Sequence, residues 1–342
     1  MKMNEGNKKK LNRKAIVAAA AAVIVLAAIV LAMNYMENRP TGAAEGEESR
    51  ELVNIGGFDC YKKQNVETYL LLGVDSVEGA DTTETDSDSS IQCDTVILLV
   101  IDRADNTYAT LHLDRDAMAV IDIPDEDGNK LGENNMQLAL AYAYGDGKEE
   151  SCELAETAVS RMLHDQRIDG YAALRMDSIG VINNLVGGVD VTVTDSFADG
   201  SGLVKGQSVH LTDKQAEAFV RGRKSVGDGS NENRMKRQQA YLDALYPQLI
   251  NKIETSSSFV NDAVSRLDKY MVTDMTNSDF SRIAKAVSSN EKLKDIDIKY
   301  TRTINKSTGY AEVVYDQDSL DEAVIRLFYD PVEDWYFEDD TE

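Results

Sequence analysis

The sequence predicts an α/β fold in which helices cover both faces of a mixed central β-sheet, preceded by one N-terminal transmembrane helix. Residues 66–75 and 95–101 are nearly continuous apolar runs, which is typical of strands buried on both faces. Residues 108–113 follow the second run after an Asp-Asn turn, so these two strands should form a hairpin. Helical periodicity alternates with strand patterns over the remaining chain, which favours a sheet covered by helices.

The distribution of charge predicts a membrane anchor at the N-terminus. The chain has 342 residues and a net charge of −24. Residues 1–14 carry six basic and one acidic side chain (net +5), whereas the other 328 carry 30 basic and 59 acidic side chains (net −29). The uncharged segment 15–33 would span about 28 Å as a helix, close to the thickness of a bilayer core. The basic stub should therefore stay cytoplasmic and the C-terminal domain should be extracellular, in a single-pass protein of the cell membrane.

A cleaved signal peptide is the alternative to this anchor, but its apolar segment is usually shorter and no convincing cleavage site follows. After the anchor, residues 34–54 are expected to form a polar linker. An extracellular domain then covers 55–330, with its motifs within 66–245, and residues 331–342 form an acidic tail. The sequence pI of about 4.5 argues against a nonspecific nucleic-acid binder.

The cysteine count gives no sign of a disulfide framework. An odd number of cysteines in an exported domain leaves at least one thiol unpaired, and no C-x-x-C pattern suggests zinc. The cysteines are Cys60, Cys93 and Cys152.

Turn and helix patterns divide the first half of the domain. Residues 78–91 are polar and of low complexity, which predicts a loop. Periodicity predicts helices over 137–144 and 152–163. The second helix should carry four residues along one side, namely Leu154, Ala158, Arg161 and Met162.

Capping residues predict where the central helices begin and end. Asp177 is expected to cap a helix that ends at Gly187, before a strand over 189–193. Thr212 and Gln215 have capping-box spacing and should open the next helix.

A long helix is expected from about Asn233, and Pro247 should kink or split it. The elements expected after it are helices over 259–270 and 279–293, strands over 296–303 and 311–315, and a helix from Asp318.

Arginines placed within a strongly acidic domain are the main candidates for binding an anion. Arg115 follows a predicted strand, and Arg221 and Arg223 follow a predicted helix. The next helix should carry a separate polar face, which lies about 100° around the helix axis from the apolar stripe that begins at Leu242. That face consists of Arg234, Arg237, Gln238 and Tyr241. Guanidinium groups bind phosphate oxygens in bidentate geometry, although simple ion pairing with surplus carboxylates is the alternative for each arginine.

Asp75 and Asp94 are the candidate metal ligands. Asp75 lies where one apolar strand ends, and Asp94 lies just before the next begins. Carboxylate oxygens suit Mg²⁺, which typically takes one or two carboxylates together with substrate phosphates. The alternative is that both aspartates simply form turns.

Taken in order, these motifs resemble the LytR–CpsA–Psr family of cell-wall glycopolymer transferases. The resemblance covers about half of the chain and depends on the ordered set of motifs. The matching blocks are TYLLLGVDS, CDTVILLVID, LHLDRD, QLALAYAYGDG, RIDGYAALRMDSIGVINNLVGGVDVTV, LTDKQAEAFVRGRK and GDGSNENRMKRQQ.

The resemblance implies a membrane-anchored, Mg²⁺-dependent phosphotransferase. Such an enzyme moves a glycopolymer from a polyprenyl-diphosphate carrier onto peptidoglycan, usually the 6-hydroxyl of N-acetylmuramic acid, and releases polyprenyl phosphate. Asp75 and Asp94 would hold Mg²⁺. Either Asp75 or Asp116 would act as the base, and Asp75 is the first candidate because it lies in the metal motif. An apolar tunnel would hold the lipid. The diphosphate would be bound by Arg115, Arg221, Arg223, Arg234 and Gln238, with Arg237 beside them.

Three departures from the family pattern bear on activity. Gln92-Cys93 stands where Arg-Ser or Arg-Thr is usual, Asp114 replaces a proline, and Ala139 replaces an asparagine. The departures at Gln92 and Asp114 keep open a non-catalytic or regulatory envelope protein that binds polyprenyl-phosphate lipids. A phosphatase that hydrolyses the same diphosphate is a third possibility.

Other candidate sites are weaker. Cys93 beside Asp94 could be a nucleophile, but a packed thiol is favoured. The spacing of His112, His164 and His210 does not suggest a metal site. A calcium loop at 86–90 lacks the required glycine and closing glutamate.

Overall fold

The computed structural model describes residues 51–74, 91–125, 127–222, 226–227, 231–256, 258–294 and 296–332. The expected membrane segment 15–33 and nearly all of the predicted loop 78–91 lie outside these residues, so both stay predictions. Among the helices of the described ranges, none has the length and apolar character needed to cross a membrane.

The described elements alternate between strands and helices along the chain. The strands are β1 (Leu52–Ile55), β2 (Phe58–Lys62), β3 (Val66–Val74), β4 (Cys93–Asp102), β5 (Thr107–Leu113), β6 (Met118–Pro124), β7 (Lys130–Gln137), β8 (Gly170–Arg175), β9 (Val189–Thr192), β10 (Ser208–Leu211), β11 (Met271–Thr273), β12 (Glu291–Lys292), β13 (Tyr300–Ile304), β14 (Ala311–Tyr315) and β15 (Tyr329–Pro331). The α-helices are α1 (Ala139–Ala143), α2 (Glu149–Met162), α3 (Ile179–Val186), α4 (Asp213–Arg221), α5 (Asn231–Thr255), α6 (Phe259–Leu267), α7 (Asn277–Ser289) and α8 (Gln317–Phe328).

The central sheet is mixed, as predicted. Its strand order is β11-β8-β3-β4-β5-β12. Strand β3 pairs antiparallel with β4 and parallel with β8, and β4 pairs antiparallel with β5. The predicted hairpin of β4 and β5 is confirmed, and Asn106 takes the left-handed conformation in its turn, with φ of 52°.

Helices pack on both faces of this sheet because successive residues of each strand point in opposite directions. Along β4, Ile97 and Leu99 join a core that includes α3, α4, α5, α6 and α7. Leu98 and Val100 join a second core that includes α1, α2 and α8. Full burial of each such side chain stabilises the fold by about 1.5–3 kcal/mol. The continuous apolar run of the sequence therefore supplies two cores at once.

Among the strands that the sequence pattern missed, β8 and β2 pair with strands that are distant in sequence. Strand β8 pairs with β3, and its small apolar residues give no strong strand pattern. Strand β1 starts inside the expected linker 34–54 and forms a hairpin with β2. Strand β2 also pairs with β15, close to the other end of the domain.

The predicted segment 137–144 is only partly helical. Strand β7 extends to Gln137, and helix α1 begins at Ala139. Strand β7 belongs to a hairpin with β6 that the sequence pattern did not reveal. Its residues are largely polar and exposed, so they lack the alternation that predicts a strand.

The buried face of α2 overlaps only partly with the side predicted from the sequence. Of the four predicted residues, Ala158 is fully buried, and Met162 is partly buried and packs against the same core. The face that packs instead consists of Ser151, Cys152, Ala155, Ala158 and Val159. Small side chains form it, since they allow the helix to approach the sheet closely.

The predicted caps had different outcomes. Thr212 and Gln215 form the expected capping box at the start of α4. Gly187 ends α3 in the left-handed conformation, with φ of 95°. Asp177 does not cap α3, because its carboxylate pairs with Arg175 instead.

Helix α5 is a single element of 25 residues that continues through Pro247. Leu242, Leu245 and Leu249 are buried as expected. The expected polar face is not separate from the core, however, because Tyr241 is only 3% exposed and its hydroxyl donates to Asn183. Both sides of this part of the helix are packed.

All three cysteines lie within the described residues, and each is free and buried. The Cys93 thiol donates to the Thr95 carbonyl oxygen at 2.8 Å. Burial raises the pKa of Cys93 to about 12. The reactive thiolate is therefore scarce at neutral pH, which favours the packing role.

Candidate functional site

The candidate site begins at one edge of the central sheet, where the ends of several strands meet. Val74 at the end of β3 pairs with Cys93 at the start of β4 and with Arg175 at the end of β8. Val96 of β4 pairs with Leu113 at the end of β5. Residues beside these positions are therefore brought together by strand register.

Arg115 lies two residues after the end of β5 at this edge and is held by three side chains. It forms an ion pair with Asp94, and its Nη2 donates to Gln92 Oε1 at 2.7 Å. Its Nε lies 3.7 Å from an Asp116 carboxylate oxygen. The Arg115 side chain is nevertheless 37% exposed, and that of Asp94 is 42% exposed. The guanidinium is thus oriented by the protein but remains accessible to an anionic ligand.

The departures noted in the sequence lie against this arginine. Gln92 orients the Arg115 guanidinium through a hydrogen bond. Ala139 is buried, and its backbone N–H donates to the Arg115 carbonyl oxygen at 2.9 Å. Both positions therefore support Arg115, although their side chains differ from the family pattern.

A second arginine, Arg302, was not recognised from the sequence. It lies on β13 and contacts two carboxylates beside Arg115, with Nη1 at 3.1 Å from Asp114 Oδ2 and an ion pair to Asp116. The contact joins residues 186 or more positions apart. A local sequence pattern cannot predict a pairing over this distance. The one available signal was Asp114, a charged residue at a position where proline is usual in the family.

The pKa of the Asp116 carboxyl, beside Arg115, differs from its ordinary value. Burial raises the pKa of its carboxyl, and Asp114 adds to this effect, while Arg302 and Arg115 oppose it. A carboxylate with a raised pKa accepts a proton more readily than an ordinary aspartate. Asp116 is therefore suited to the role of a base that the sequence left open between Asp75 and Asp116.

Of the two predicted metal ligands, the structure describes Asp94, whereas Asp75 lies outside the described residues. Within the residues that are described, no group of three or more His, Cys, Asp or Glu side chains could hold a metal ion. The exposed Asp94 carboxylate is a hard oxygen donor and fits Mg²⁺, an ion that needs only one or two protein carboxylates.

The second part of the predicted site lies at the end of α4. Arg221 is the last residue of that helix, 29% exposed, and its Nη1 lies 2.9 Å from Glu217 Oε1. Gln238 on α5 donates to the Val220 carbonyl oxygen at 3.3 Å. These two predicted residues therefore belong to one region around the end of α4.

Arg237 lies in the same region but is buried, with 1% of its side chain exposed. Its Nε donates to the Phe219 carbonyl oxygen at 2.8 Å, and its Nη atoms bind Asp195 and the Gly222 carbonyl oxygen. Its Cζ also lies 5.6 Å from the centre of the Phe197 ring. The guanidinium expected beside the phosphate-binding residues is thus directed at protein acceptors.

Described residues on either side of Arg223 have contacts within the protein. Arg223 lies outside the described residues, but Gly222 before it is bound by Arg237. Gly227 after it donates its N–H to the Ser196 carbonyl oxygen at 2.8 Å and has a φ of 58°. The backbone of Arg234 lies in α5.

Proteins of other bacteria are similar in sequence to part of this chain. A polyisoprenyl-teichoic acid–peptidoglycan teichoic acid transferase, TagU of Bacillus cereus, is 27% identical over 227 residues, which is 65% of this chain and 64% of that protein. Biofilm regulatory protein A of Streptococcus mutans is 24% identical over 265 residues, 73% of this chain and 61% of that protein. The chain thus spans less than two thirds of the length of these relatives.

The fold is also similar to that of a solved structure. Bacillus subtilis TagV has a TM-score of 0.51 and 19% sequence identity, over 78% of this chain and 96% of that chain. The mixed sheet with helices on both faces is therefore a known architecture. Residues 31–327 match the model of the LytR_cpsA_psr family, and because this match covers most of the chain, the protein belongs to that family.

Proposed function

We propose that this protein is a membrane-anchored phosphotransferase that moves a glycopolymer from a polyprenyl-diphosphate carrier onto peptidoglycan. The observation that carries the proposal is Arg115, whose guanidinium is held by Gln92 and Asp94 yet stays 37% exposed. An oriented, accessible guanidinium suits a bidentate contact with phosphate oxygens. The named transferase activity of the TagU relative supports the same reaction.

The reaction transfers the phosphoryl group that links the glycopolymer to the carrier. A hydroxyl oxygen of peptidoglycan attacks the phosphorus next to the sugar and forms a new P–O bond. The bond between that phosphorus and the bridging oxygen breaks, and polyprenyl phosphate leaves with the electron pair. Phosphoryl transfer depends mainly on positioning and charge stabilisation, so arginines can supply most of what is needed.

The residues of this chain have separate roles in the proposal. Asp116, whose carboxyl has a raised pKa, is suited to take the proton of the acceptor hydroxyl. Arg237 positions the end of α4 rather than contacting the lipid, since its guanidinium is buried on protein acceptors. The diphosphate is bound in this proposal by Arg115, Arg221, Arg223, Arg234 and Gln238.

Asp94 and Asp75 would hold the Mg²⁺ ion that the reaction is expected to need. The support is the exposed carboxylate of Asp94 beside Arg115, together with the position of Asp75 directly after β3. When bound, Mg²⁺ offsets the negative charge of the diphosphate oxygens.

The proposed location is the cell membrane, with the segment 15–33 as the single anchor and the domain outside. Its support is the apolar sequence and the +5 charge of the residues before it. Protease added to intact cells should digest the domain and leave the N-terminal stub protected. Protection of the domain from protease would contradict this orientation.

The test of the activity uses the full-length protein in detergent. Polyprenyl-diphosphate-linked polymer, Mg²⁺ and a peptidoglycan acceptor are added, and we expect release of polyprenyl phosphate together with labelled peptidoglycan. The double variant Arg115→Ala, Arg221→Ala should abolish both products. Arg167→Gln is the matched control, because Arg167 is 83% exposed and pairs with Asp169. Full activity of the double variant would refute the assignment of the site.

A second function is a regulatory protein that binds polyprenyl-phosphate lipids without turnover. Its support is the name of the Streptococcus mutans relative and the carboxylates of Asp94 and Asp116 that already surround Arg115. It predicts tight lipid binding without product, and little loss of cellular function in Asp75→Asn. Formation of polyprenyl phosphate without any acceptor would instead indicate a phosphatase.

A further inference from the structure

The hairpin of β13 and β14 braces the segment that carries Arg115. The Val313 N–H donates to the Asp116 carbonyl oxygen at 2.9 Å, and the Asp114 N–H donates to the Tyr315 hydroxyl at 2.6 Å. Arg302, from the same hairpin, contacts the carboxylates of both aspartates. The hairpin therefore holds both the backbone and the charged groups on either side of Arg115.

The turn that contains Arg115 is stabilised by the carboxylate and the N–H of Asp114. Asp114 Oδ1 accepts from the Asp116 N–H at 2.9 Å, while Oδ2 faces Arg302 at 3.1 Å. A proline at this position would lack the N–H that Tyr315 accepts. This chain thus closes the turn with an aspartate, which places an additional negative charge beside the proposed diphosphate site.

Without a further cation, the charges around Arg115 would oppose an anionic ligand. Asp94, Asp114 and Asp116 all lie within this group, and Arg115 contacts Asp94 and Asp116. Arg302 is 41% exposed and pairs with the other carboxylate, Asp114, and with Asp116. A guanidinium in this position offsets the charge of Asp114 and competes with Arg115 for Asp116.

We propose that Arg302 is a positioning residue of this site, which binds Asp114 and Asp116 and thereby keeps Arg115 available for the diphosphate. This inference rests on the proposed function, because it assumes that Arg115 binds a polyprenyl diphosphate. Arg302 acts through the two aspartates. Its removal should therefore weaken ligand binding most when Asp114 retains its charge.

The experiment measures binding of farnesyl diphosphate to the full-length protein in detergent by calorimetry, with Mg²⁺ present. We expect about tenfold weaker binding for Arg302→Gln. Adding Asp114→Asn should return the affinity to within about threefold of the unmodified protein, since the amide keeps the Oδ1 contact to the Asp116 N–H but removes the charge. Arg302→Lys, which retains the charge, should bind within about threefold of the unmodified protein. Arg167→Gln, an exposed arginine paired with Asp169, should bind normally.

The outcomes separate this inference from the proposed function. Failure of the unmodified protein to bind farnesyl diphosphate would refute the proposed function and the inference with it. Normal binding by Arg302→Gln, or weakened binding that Asp114→Asn does not restore, would overturn the inference alone. If Arg302→Gln does not fold, the single variant Asp114→Asn tests the inference instead. Binding of farnesyl diphosphate to Asp114→Asn that is about threefold tighter than to the unmodified protein supports the inference, and unchanged affinity overturns it.

Discussion

Two arginine–aspartate pairs of this protein have the same chemistry but very different surroundings. Arg115 and Asp94 lie at the sheet edge, with side chains 37% and 42% exposed. Arg237 and Asp195 lie beside the end of α4, with side chains 1% and 9% exposed. Because the first pair is exposed, Arg115 can exchange Asp94 for a ligand. The second pair is buried, so its contacts stabilise the fold.

The difference follows from burial and not from the number of contacts, because Arg115 also has three protein partners. Arg237 binds two carbonyl oxygens and one carboxylate, all from the protein. Separating such a pair leaves a buried charge unsatisfied, which costs far more than separating a pair in water. An arginine in an acidic domain is therefore a candidate ligand only when its charge is accessible.

The largest expected effect is on the buried pair. Arg237→Ala should lower the free energy of unfolding by about 3–5 kcal/mol, because it leaves the Asp195 carboxylate buried without its partner. Chemical denaturation monitored by circular dichroism measures this change. The double variant Arg237→Met, Asp195→Leu should be more stable than Arg237→Ala. A loss below 1 kcal/mol for Arg237→Ala would remove the contrast between the two pairs.

A change in the exposed pair should affect the activation free energy about as much as Arg237→Ala affects the free energy of unfolding. It should affect the free energy of unfolding much less. Arg115→Ala should lower kcat/KM about 100- to 1000-fold, or about 3–4 kcal/mol, if its guanidinium stabilises charge on the transferred phosphoryl group. The polyprenyl phosphate assay measures the rate, and denaturation of the same sample measures stability. Loss of stability comparable to that of Arg237→Ala would show that Arg115 is structural as well.

Asp116, beside the exposed pair of Arg115 and Asp94, should make the activity depend on pH. Burial raises the pKa of this carboxyl above its ordinary value of 3.8, and a base works only when deprotonated. Activity should therefore begin to fall at a higher pH than an ordinary aspartate would give as the solution is acidified. A profile of kcat/KM against pH measures this limb, and Asp116→Asn should lose the activity. Substantial activity in Asp116→Asn would transfer the role of the base to another residue.

The smallest expected effect is the contribution of Asp94 to stability. Asp94→Asn should change the free energy of unfolding by less than about 1 kcal/mol, because ion pairs of exposed side chains are screened by water and salt. Denaturation at low and high NaCl concentrations measures it. Asp195→Asn is the comparison, and it should cost several times more at both salt concentrations. Equal costs would contradict the distinction by burial.

Much of the core was predictable because its signals are local. The apolar runs predicted β3 and β4, and each run supplied both cores through the alternation of its side chains. The capping box of Thr212 and Gln215 needs only neighbouring residues and was found where predicted. Strand β8 was missed because pairing with β3, rather than its own pattern, stabilises it.

The candidate site shows the same division. The order of motifs along the chain indicated the family and singled out Arg115, Arg221 and Asp94 as candidates. Their mutual surroundings were not predictable, since Arg302 approaches Asp116 from 186 residues away. Nor does helical spacing show whether a polar face is exposed, and for Arg237 and Tyr241 the expected exposed face is packed.

The class of fold, the family and the charged residues proposed to bind phosphate could all be inferred from local patterns along the chain. Which arginines remain accessible, and which carboxylates surround them, depends on the tertiary structure. The physical reason is that secondary structure depends on patterns within a few residues. Burial and charge compensation depend instead on contacts between segments far apart in the chain, such as the β13–β14 hairpin and the turn at Asp114.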